Sequence, residues 1–561
     1  MAHRFRPVDR DAEMLLPPNM LDWVPEGHAV LVVIDAVEGI MTGDLLARLV
    51  PPTAEGTARG PARYDPVMLL TVWLYAYLRG VLSTRAVEDR CRYDATFRVA
   101  CGREVPDHTT FSRFRKRLFA REGLAEDLFY RVLHVCAGAG LGRLGVVAAD
   151  GVKIAASASR EANRTEAGLR RLAGKVLADA RRAAAADEER EPPLPGTDLL
   201  LDADVMADPR SRAGRVRACL QDLEREREDA EAQAREQGKA YLEALEAGTV
   251  RGKPVAAVAA AAAQIRLDGL LAAEEEKLRA WQARKAAGQR VTRPPLRPGT
   301  SVRARKTAAR LEELRAAERQ AAEAGGDGKR QPVRNVTDPE SRLMPARGGG
   351  FIQGFNGQDA AADDRLMPGG YACRDTSDQP HAARLDAVAA RGAAVVAAAH
   401  AAHAGDPGAV RACHQRMCTL AEKDKNGPGH DAAACHHAMT SAIGVIVKDA
   451  GYHSKANLQA PGPDRITAPG KMRDLPAAGC RPAGQDVFGP LTAVEANARR
   501  IAAPEGRALY KRRAPDVEGL HASLKDDGGL RRFSLRGLRN ATSEFLFAGI
   551  GHNLRLLTAL S

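Results

Sequence analysis

Apolar residues recur at helical spacing through residues 1 to about 140. The clearest case is DPVMLLTVWLYAYLRG, in which Asp65 suits the cap, Pro66 suits the first helical position and Gly80 ends the run. Its apolar positions are Val67, Leu70, Leu74, Tyr77 and Leu78. A second helix is expected from Ser83 through Arg92. The pattern predicts an all-α N-terminal domain over residues 1–140.

The segment after PDHTT predicts a third helix with two distinct faces. Phe111, Phe114 and Leu118 form an apolar stripe. The basic residues of the other face are Arg113, Lys116 and Arg117. A short basic helix of this kind suits a helix-turn-helix-like reader of DNA, and a solvated basic face on a core helix is an equally open interpretation.

Residues 161–330 change to long runs of alanine, glutamate, arginine and lysine. Val216, Leu220 and Leu223 keep a heptad-like step before alanine and charge take over. Proline-rich breaks at 190–197 and 292–300 separate the runs. The stretch therefore predicts a helical, coiled-coil-like insertion without enzymatic chemistry.

Short strand patterns lie on both sides of that insertion. They are LGVVAADGVKI (144–154), RNVTDPESRLM, GGGFIQGFNGQDAAAD, IGVIVKDAGYHS (443–454) and RITAPG (465–470). From Val517 to Leu560 the pattern returns to helix. Strands interrupted by helices predict a mixed α/β domain formed by residues 141–160 and 331–561.

Charge and composition narrow the class of protein. The chain of 561 residues has 83 basic and 71 acidic side chains, a net charge of +12, which favours a polyanionic partner. No apolar run reaches the roughly 18 residues that a membrane helix needs, and the first twenty residues lack a signal-peptide pattern. These features predict a cytoplasmic protein without a membrane partner.

Two aspartates stand in matching contexts. Asp150 and Asp449 each end an apolar strand-like run and open a loop that contains glycine. If the strands are parallel neighbours, both carboxylates emerge at one sheet edge, where hard cations such as Mg²⁺ find oxygen ligands. The alternative is that each aspartate is a turn or cap residue.

A third carboxylate lies in RALYKRRAPDVEGLHASLK. With Pro515 at the helix start, the inward positions are Val517, Leu520 and Leu524. Glu518, His521 and Lys525 then form a polar stripe on one face of the helix. On this face the glutamate is suited to bind a metal ion, and the lysine is suited to bind a phosphate. Two roles are open for Tyr510: its ring packs on a sugar or base of the nucleic acid, or it only anchors the loop.

These strings together resemble bacterial insertion-sequence transposases of the DDE class. The matching pieces are DGVKIAASAS, NVTDPESRLM, GFNGQ, DAGYHSKANL, the Y-x2-R-x4-E-x6-K pattern ending in LRRFSLRGLRNATSEFLFAGIGHNLRLL, and the N-terminal RYDPVMLLTVWLYAYLRGVLSTRAVEDRC with PDHTTFSRFRKRL. The resemblance covers about residues 60–160 and 331–560. Four residues separate Arg513 from Glu518, where one well-known version of the signature has three. Residues 378–439 match the family poorly.

The resemblance implies a ribonuclease H-like α/β core, interrupted by the helical insertion and preceded by the all-α domain. It implies that Asp150, Asp449 and Glu518 are catalytic and bind two Mg²⁺ ions, with Mn²⁺ as a substitute. The residues that it assigns to DNA are Tyr510, Arg513 and Lys525. Asp338, expected on the second strand, ranks fourth as a supporting residue.

The implied reaction is cleavage at the transposon ends and joining of the freed 3′-OH to target DNA by two-metal phosphoryl transfer. The implied partners are double-stranded DNA, as transposon ends and as target, and a second copy of the chain in a homodimer. The implied location is the nucleoid of the cytoplasm.

Two other functions stay open at this point. A non-enzymatic DNA-binding protein derived from a decayed transposase would keep the basic helices and use the carboxylates only as caps. A zinc-binding module would use Cys413, Cys418, His430 and Cys435, whose residue types suit zinc but whose spacing matches no common motif.

Overall fold

The structure is a computed structural model. It describes residues 19–50, 63–102, 104–188, 208, 211–249, 252–291, 293–323, 332–346, 348–404, 442–470 and 491–560. Contacts between residues divide the chain into two compact units. The core unit comprises residues 1–160 and 340–561, and the insertion unit comprises residues 161–339.

The core unit begins with helices, as the apolar spacing predicts. A 3-10 turn, Met20–Trp23, precedes α1 Ala29–Ile40, α2 Gly43–Leu49, α3 Pro66–Leu78, α4 Thr84–Tyr93, α5 Ala95–Cys101, α6 His108–Ala120 and α7 Leu124–Gly138. Asp65, Asp94 and Asp107 cap α3, α5 and α6 by accepting backbone N–H groups of the first turn. The predicted cap at Asp65 and the two helices that follow Ser83 and Asp107 are therefore confirmed.

Six strands of the core unit form one sheet. They are β1 Val146–Ala155, β4 Arg342–Pro345, β5 Phe351–Ala362, β6 Gly369–Cys373, β7 Val445–Lys448 and β8 Arg465–Thr467. The order is β4-β5-β1-β7-β8, and β6 also pairs with β5. β1, β7 and β8 are parallel to one another, whereas β5 runs antiparallel to β1, to β4 and to β6.

Both faces of this sheet are covered. Since side chains alternate along a strand, Ala148 and Val152 of β1 enter the core that the N-terminal helices share with the C-terminal helix. Val147 and Ala149 face the opposite way, into a second core with α12, Ala382–His403. A strand buried on both faces is nearly continuously apolar, which explains the run LGVVAA.

The remaining helices of the core unit follow the sheet. They are the 3-10 turns Gln379–His381 and Ala450–Tyr452, then α13 Lys455–Gln459, α14 Ala493–Ala502, α15 Pro504–Arg513, a π-helical turn Ala514–Glu518, α16 Gly519–Ala522, a second π-helical turn Ser523–Asp527, and α17 Leu538–Thr558. The predicted helix start at Pro515 is wrong, because the helical run begins at Pro504 and Pro515 lies inside it.

The insertion unit is mainly helical, as its composition predicts. After the 3-10 turn Arg160–Ala162 come β2 Asn163–Thr165, α8 Glu166–Glu188, α9 Arg212–Glu246, α10 Ala256–Ala286, α11 Val302–Glu323 and β3 Val333–Asn335. β2 and β3 pair antiparallel. The small core of this unit contains Leu169, Val216, Cys219, Leu223 and Val336.

Asp338 does not lie on a strand. It follows β3 in a turn, where its backbone N–H donates to Oδ1 of Asn335 at 3.2 Å. The expected position on the second strand is therefore wrong, because the polar sequence TDPES ends the short strand at Asn335.

Two helices of the described residues are long and apolar enough to cross a membrane by length and composition alone. They are Ala256–Ala286 and Gln379–His403. The second is mostly buried in the core unit, and a core helix of a soluble protein meets the same criterion. The absence of a membrane partner stays a prediction.

Candidate active site

The sheet brings Asp150 and Asp449 together. β1 and β7 are parallel, and their last paired residues are Ala149 and Lys448. Each aspartate is the next residue along its strand direction, so the two carboxylates emerge at one position of neighbouring strands. Side-by-side placement of this kind gives two oxygen donors to one ligand.

Asp150 is not the end of a strand, as the apolar run suggested. β1 continues through Asp150 and Gly151 to Ala155, because β5 pairs with it along this whole length. Only the pairing with β7 stops at Ala149. The aspartate thus lies where β1 loses one neighbour, which opens room for its side chain although the residue is only 3% exposed.

Asp449 is a helix cap and is also one of two neighbouring carboxylates, so both interpretations of its sequence context apply. Its carboxylate caps the short helix Ala450–Tyr452 by accepting the N–H of Gly451 at 2.8 Å. Burial raises the pKa of Asp449, and the negative charge of Asp150 raises it further. Two neighbouring carboxylates that repel each other, one buried and one half-buried, favour binding of a cation between them.

Arg513 faces this pair from the C-terminal helical segment. Its Nη1 donates to Oδ2 of Asp150 at 2.9 Å, and its side chain is largely buried. Tyr510, one turn earlier, interacts with Arg513, and burial raises the pKa of the tyrosine. Tyr510, Arg513 and Asp150 therefore form one connected polar chain.

Asp378 also belongs to this site, and the sequence analysis did not predict it. Its Oδ1 accepts from Asn356 at 2.7 Å, from Gln358 at 2.7 Å and from Lys153 at 3.3 Å. Its charge is one of the causes that raise the pKa of Asp449. The signal was the motif GFNGQ, since Asn356 and Gln358 are two apart and share a face of β5.

A buried acid and a buried histidine lie beside Asp150. Asp359 is directly opposite Asp150 in the β1–β5 register and is fully buried. His521 Nε2 contacts Oδ1 of Asp359 at 2.9 Å and is 7% exposed. His521 belongs to the predicted polar stripe but is buried, because its ring pairs with Asp359 of β5.

The predicted inward face of the helical run around Glu518 is confirmed. The polar residues of its predicted stripe differ in exposure, since His521 is buried and Glu518 is exposed. Val517, Leu520 and Leu524 are buried. Glu518 is exposed on the same helical run, and no contact among the described residues joins it to Asp150 or Asp449. The charge of Lys525 acts on the buried pair of Asp359 and His521.

The π-helical turn Ala514–Glu518 explains the unusual spacing in this segment. A π turn holds one more residue than an α turn, so it accommodates four residues between Arg513 and Glu518 instead of three. Pro515 lies inside this turn and has no N–H to donate. Turns of this type are common at functional sites.

The predicted DNA-binding residues of the N-terminal helices lie on α6. Arg113 and Lys116 are exposed, and Arg117 is half-buried over the ring of Phe114 at 5.7 Å. Phe111, Phe114 and Leu118 are buried, so the predicted apolar stripe is confirmed. The candidate zinc ligands Cys413, Cys418, His430 and Cys435 lie outside the described residues.

Comparison with known proteins gives two family matches. The family described as Transposase domain (DUF772) matches residues 18–117, which include α6. The family described as Transposase DDE domain matches residues 491–558, which include Tyr510, Arg513, Glu518 and Lys525. No curated protein and no solved structure matches the chain. The two transposase families match in the expected order along the chain, and together they support an insertion-sequence transposase of the DDE class.

Proposed function

We propose that this transposase cuts DNA at insertion-sequence ends and joins the freed 3′-OH to target DNA on a ribonuclease H-like sheet. One observation carries the proposal: Asp150 and Asp449 lie on neighbouring parallel strands where the pairing of those strands ends. The strand order β4-β5-β1-β7-β8, in which only β5 runs opposite to the other strands, supports the same fold.

The donor set fits a hard divalent cation. Asp150 and Asp449 offer carboxylate oxygens. Burial, and then the charge of Asp150, raise the pKa of Asp449, and a bound cation removes the repulsion between the two carboxylates. We propose Asp150, Asp449 and Glu518 as the ligands of two Mg²⁺ ions, with Mn²⁺ as a substitute. When bound, such ions activate the attacking oxygen and stabilise the leaving oxygen of an in-line phosphoryl substitution.

The chain's own side chains position the DNA for two successive substitutions. In the first, a water oxygen forms a bond to the phosphorus at the transposon end, and the 3′ oxygen leaves as a hydroxyl. In the second, that hydroxyl oxygen attacks a target phosphodiester and displaces the target's 3′ oxygen. Arg513 donates to Asp150 and holds it in place. Tyr510, Arg513 and Lys525 are the residues that we propose contact the DNA strand.

Binding of double-stranded DNA is proposed to come from cations spread over the core unit. Arg113, Lys116 and Arg117 on α6 contribute from the N-terminal helices. Each phosphate contact should steepen the salt dependence of binding by about 0.9 in log–log slope. We further propose that a homodimer pairs the two transposon ends in the nucleoid of the cytoplasm.

The decisive test is Asp449→Asn, which keeps the size and hydrogen-bonding shape of the side chain but removes its charge. Nicking of labelled DNA that carries the element's own ends, in Mg²⁺ or Mn²⁺, should fall by about 1,000-fold, because several kcal/mol of charge stabilisation are lost. Affinity for the same DNA should change little. Asp89→Asn on the exposed face of α4 is the matched control and should nick normally. Normal nicking by Asp449→Asn would reject the proposal.

Glu518 requires its own test, because it is exposed and has no described contact with the aspartates. Glu518→Gln should abolish nicking as completely as Asp449→Asn if the glutamate is a metal ligand. The matched control is Asp526→Asn, an exposed carboxylate on the same helical run that pairs with Arg531. Full activity of Glu518→Gln would remove this residue from the metal site and leave the aspartate pair.

A second candidate function is that of a non-enzymatic DNA-binding protein derived from a decayed transposase. The observation in its favour is the position of Glu518 outside the aspartate pair. This protein would bind transposon ends with a steep salt dependence and would nick them in neither metal. Metal-dependent nicking that requires Asp449 would exclude this function.

A further inference from the structure

A cysteine, an aspartate and a histidine converge at the end of β6. Cys373 is the last residue of β6, Asp375 lies in the loop that follows, and His381 ends the 3-10 turn before α12. Their sulfur, oxygen and nitrogen atoms all lie within 4.8 Å of one another. Cys373 and His381 are buried, and Asp375 is exposed, so the cluster is open to solvent on one side.

The surroundings of this cluster orient its donor atoms. Nδ1 of His381 lies 3.1 Å from the hydroxyl of Tyr371, and Nε2 of the histidine lies 2.8 Å from Oδ2 of Asp375. The backbone N–H of Asp375 donates to the sulfur of Cys373, an interaction that lowers the pKa of the thiol against the larger effect of burial. Outer hydrogen bonds to histidine and sulfur are typical of metal ligands.

We propose that Cys373, Asp375 and His381 bind one zinc ion, with water at the fourth position. Thiolate, imidazole and carboxylate are the ligands of zinc, and three protein ligands with one open position are a common tetrahedral arrangement. When Tyr371 accepts from Nδ1–H, the lone pair of Nε2 is directed at the cluster. This sulfur and nitrogen set differs in kind from the carboxylate pair of Asp150 and Asp449, which suits a harder ion.

Binding requires small movements and the release of one proton. Donor atoms around a tetrahedral zinc are roughly 3.3–3.8 Å apart, given bonds of about 2.0–2.3 Å. The 2.8 Å contact between His381 and Asp375 must therefore lengthen by about 0.5 Å, and any wider pair must close. The contact between His381 and Asp375 is then replaced by one bond from each residue to the metal. The Cys373 thiol loses its proton to solvent when its sulfur binds the metal, so zinc binds more tightly as pH rises.

This zinc would fix the segment that carries Asp378. Asp375 and His381 flank Asp378 by three residues on each side, so the ion ties both ends of a short loop. Asp378 in turn accepts hydrogen bonds from Asn356, Gln358 and Lys153 beside the aspartate pair. The zinc therefore ties down this loop next to the proposed catalytic site, with a water at its open position and without a place in the proposed reaction.

The test uses the full chain, stripped of metal and titrated with Co²⁺, which reports sulfur ligation by its thiolate-to-metal absorption. One equivalent should give this absorption in the native chain, and Cys373→Ala should abolish it. Cys136→Ala, another fully buried cysteine of the core unit, is the matched control and should keep it. Tyr371→Phe should weaken binding by about 10- to 100-fold and keep the absorption, because it removes only an outer hydrogen bond.

Asp375→Asn tests the site without changing a buried residue, because Asp375 is exposed. This variant should bind the metal more weakly and keep the circular dichroism of the native chain. The proposal would be overturned if Co²⁺ absorption persists in Cys373→Ala and disappears in a triple alanine variant of Cys413, Cys418 and Cys435. Absence of any thiolate absorption in the folded native chain would overturn it too. Neither readout depends on DNA cleavage, so failure here leaves the proposed function untouched.

Discussion

Two helical segments near the C-terminus differ in regularity and in what they contribute. α17, Leu538–Thr558, is an uninterrupted α-helix of 21 residues that is buried along most of its length. Residues 504–527 form a helical run in which α-helical turns alternate with two π-helical turns. The first packs the N-terminal helices against the sheet, whereas the second presents Arg513 and His521 to the aspartates of β1 and β5.

The difference in regularity between α17 and residues 504–527 follows from the hydrogen-bond partners of their polar side chains. In α17, Glu544 accepts from the backbone and hydroxyl of Ser534, and Asn553 pairs with the backbone of Met367 through both of its amide atoms. These are contacts that hold elements together. In residues 504–527, Arg513 and His521 face the carboxylates of Asp150 and Asp359 in the sheet, and the backbone adjusts around Pro515 to place them. Irregular backbone thus coincides with the site, and regular backbone with packing.

The largest expected effect comes from deleting one residue in each segment. Deletion of Ala548 from α17 rotates half of a buried helix by about 100° and should prevent folding, because the buried side chains beyond the deletion lose their packing partners. Deletion of Pro515 should be tolerated within about 2 kcal/mol, since the π turn contracts to an α turn and both flanks keep their faces. Urea unfolding followed by circular dichroism measures both.

The test compares the stabilities of the two deletion variants, and each outcome bears on a different segment. A folded chain after deletion of Ala548 would show that α17 does not carry the packing of the core unit. Unfolding after deletion of Pro515 would show that the extra residue is needed for the fold and is not merely accommodated. The Pro515 deletion also restores a spacing of three residues between Arg513 and Glu518, so nicking by this variant tests the register of the site.

The next effect in size concerns His521. His521→Ala leaves the carboxylate of Asp359 buried without its partner and should cost about 3–5 kcal/mol in free energy of unfolding. The double variant Asp359→Val, His521→Phe should recover most of that stability, because an apolar pair replaces the buried charges. A single His521→Ala variant as stable as the native chain would refute the pairing.

The same histidine should give a distinctive pH dependence. Burial alone lowers the pKa of His521, but the charge of Asp359 outweighs burial and the pKa is raised. Its contribution is present below its unfolded pKa of about 6.5 and is lost as pH rises through the folded value. His552 in α17 behaves oppositely, because burial lowers its pKa to about 4 and its contribution is lost as pH falls from about 6.5 to 4.

Much of this architecture follows from local sequence patterns. Asp65 with Pro66 gives the start of α3, and the apolar runs before Asp150 and Asp449 give β1 and β7. Parallel pairing of those two strands then brings the aspartates together, as their matching contexts predict. These features are local or depend on one simple rule of sheet geometry, which is why sequence suffices for them.

The rest depends on contacts between residues far apart in the chain. The sequence alone places His521 on the polar stripe of a helix. Its burial depends on pairing with Asp359, which lies 162 residues earlier in the chain. Asp378 has no helical or strand pattern of its own, and only the fold sets it against Asn356 and Gln358. Pro515 marks a helix start by propensity, but packing of Val517 and Leu520 continues the helix through it.

The smallest expected effect concerns Asp516, inside the first π turn. Burial, and then the charge of Asp363, raise the pKa of Asp516 to about 6 from an ordinary value near 3.8. The folded chain therefore holds a proton that the unfolded chain has released, so stability falls as pH rises from about 4 to about 6. Asp516→Asn imitates the protonated acid and should be more stable than the native chain by about 1 kcal/mol at pH 7, once screening by solvent is allowed for. The two chains should be equally stable near pH 4. Urea unfolding at pH 4, 5, 6 and 7 measures the difference, and a difference that does not change with pH would show that Asp516 is ionised in the folded chain and that the π turn carries no such cost.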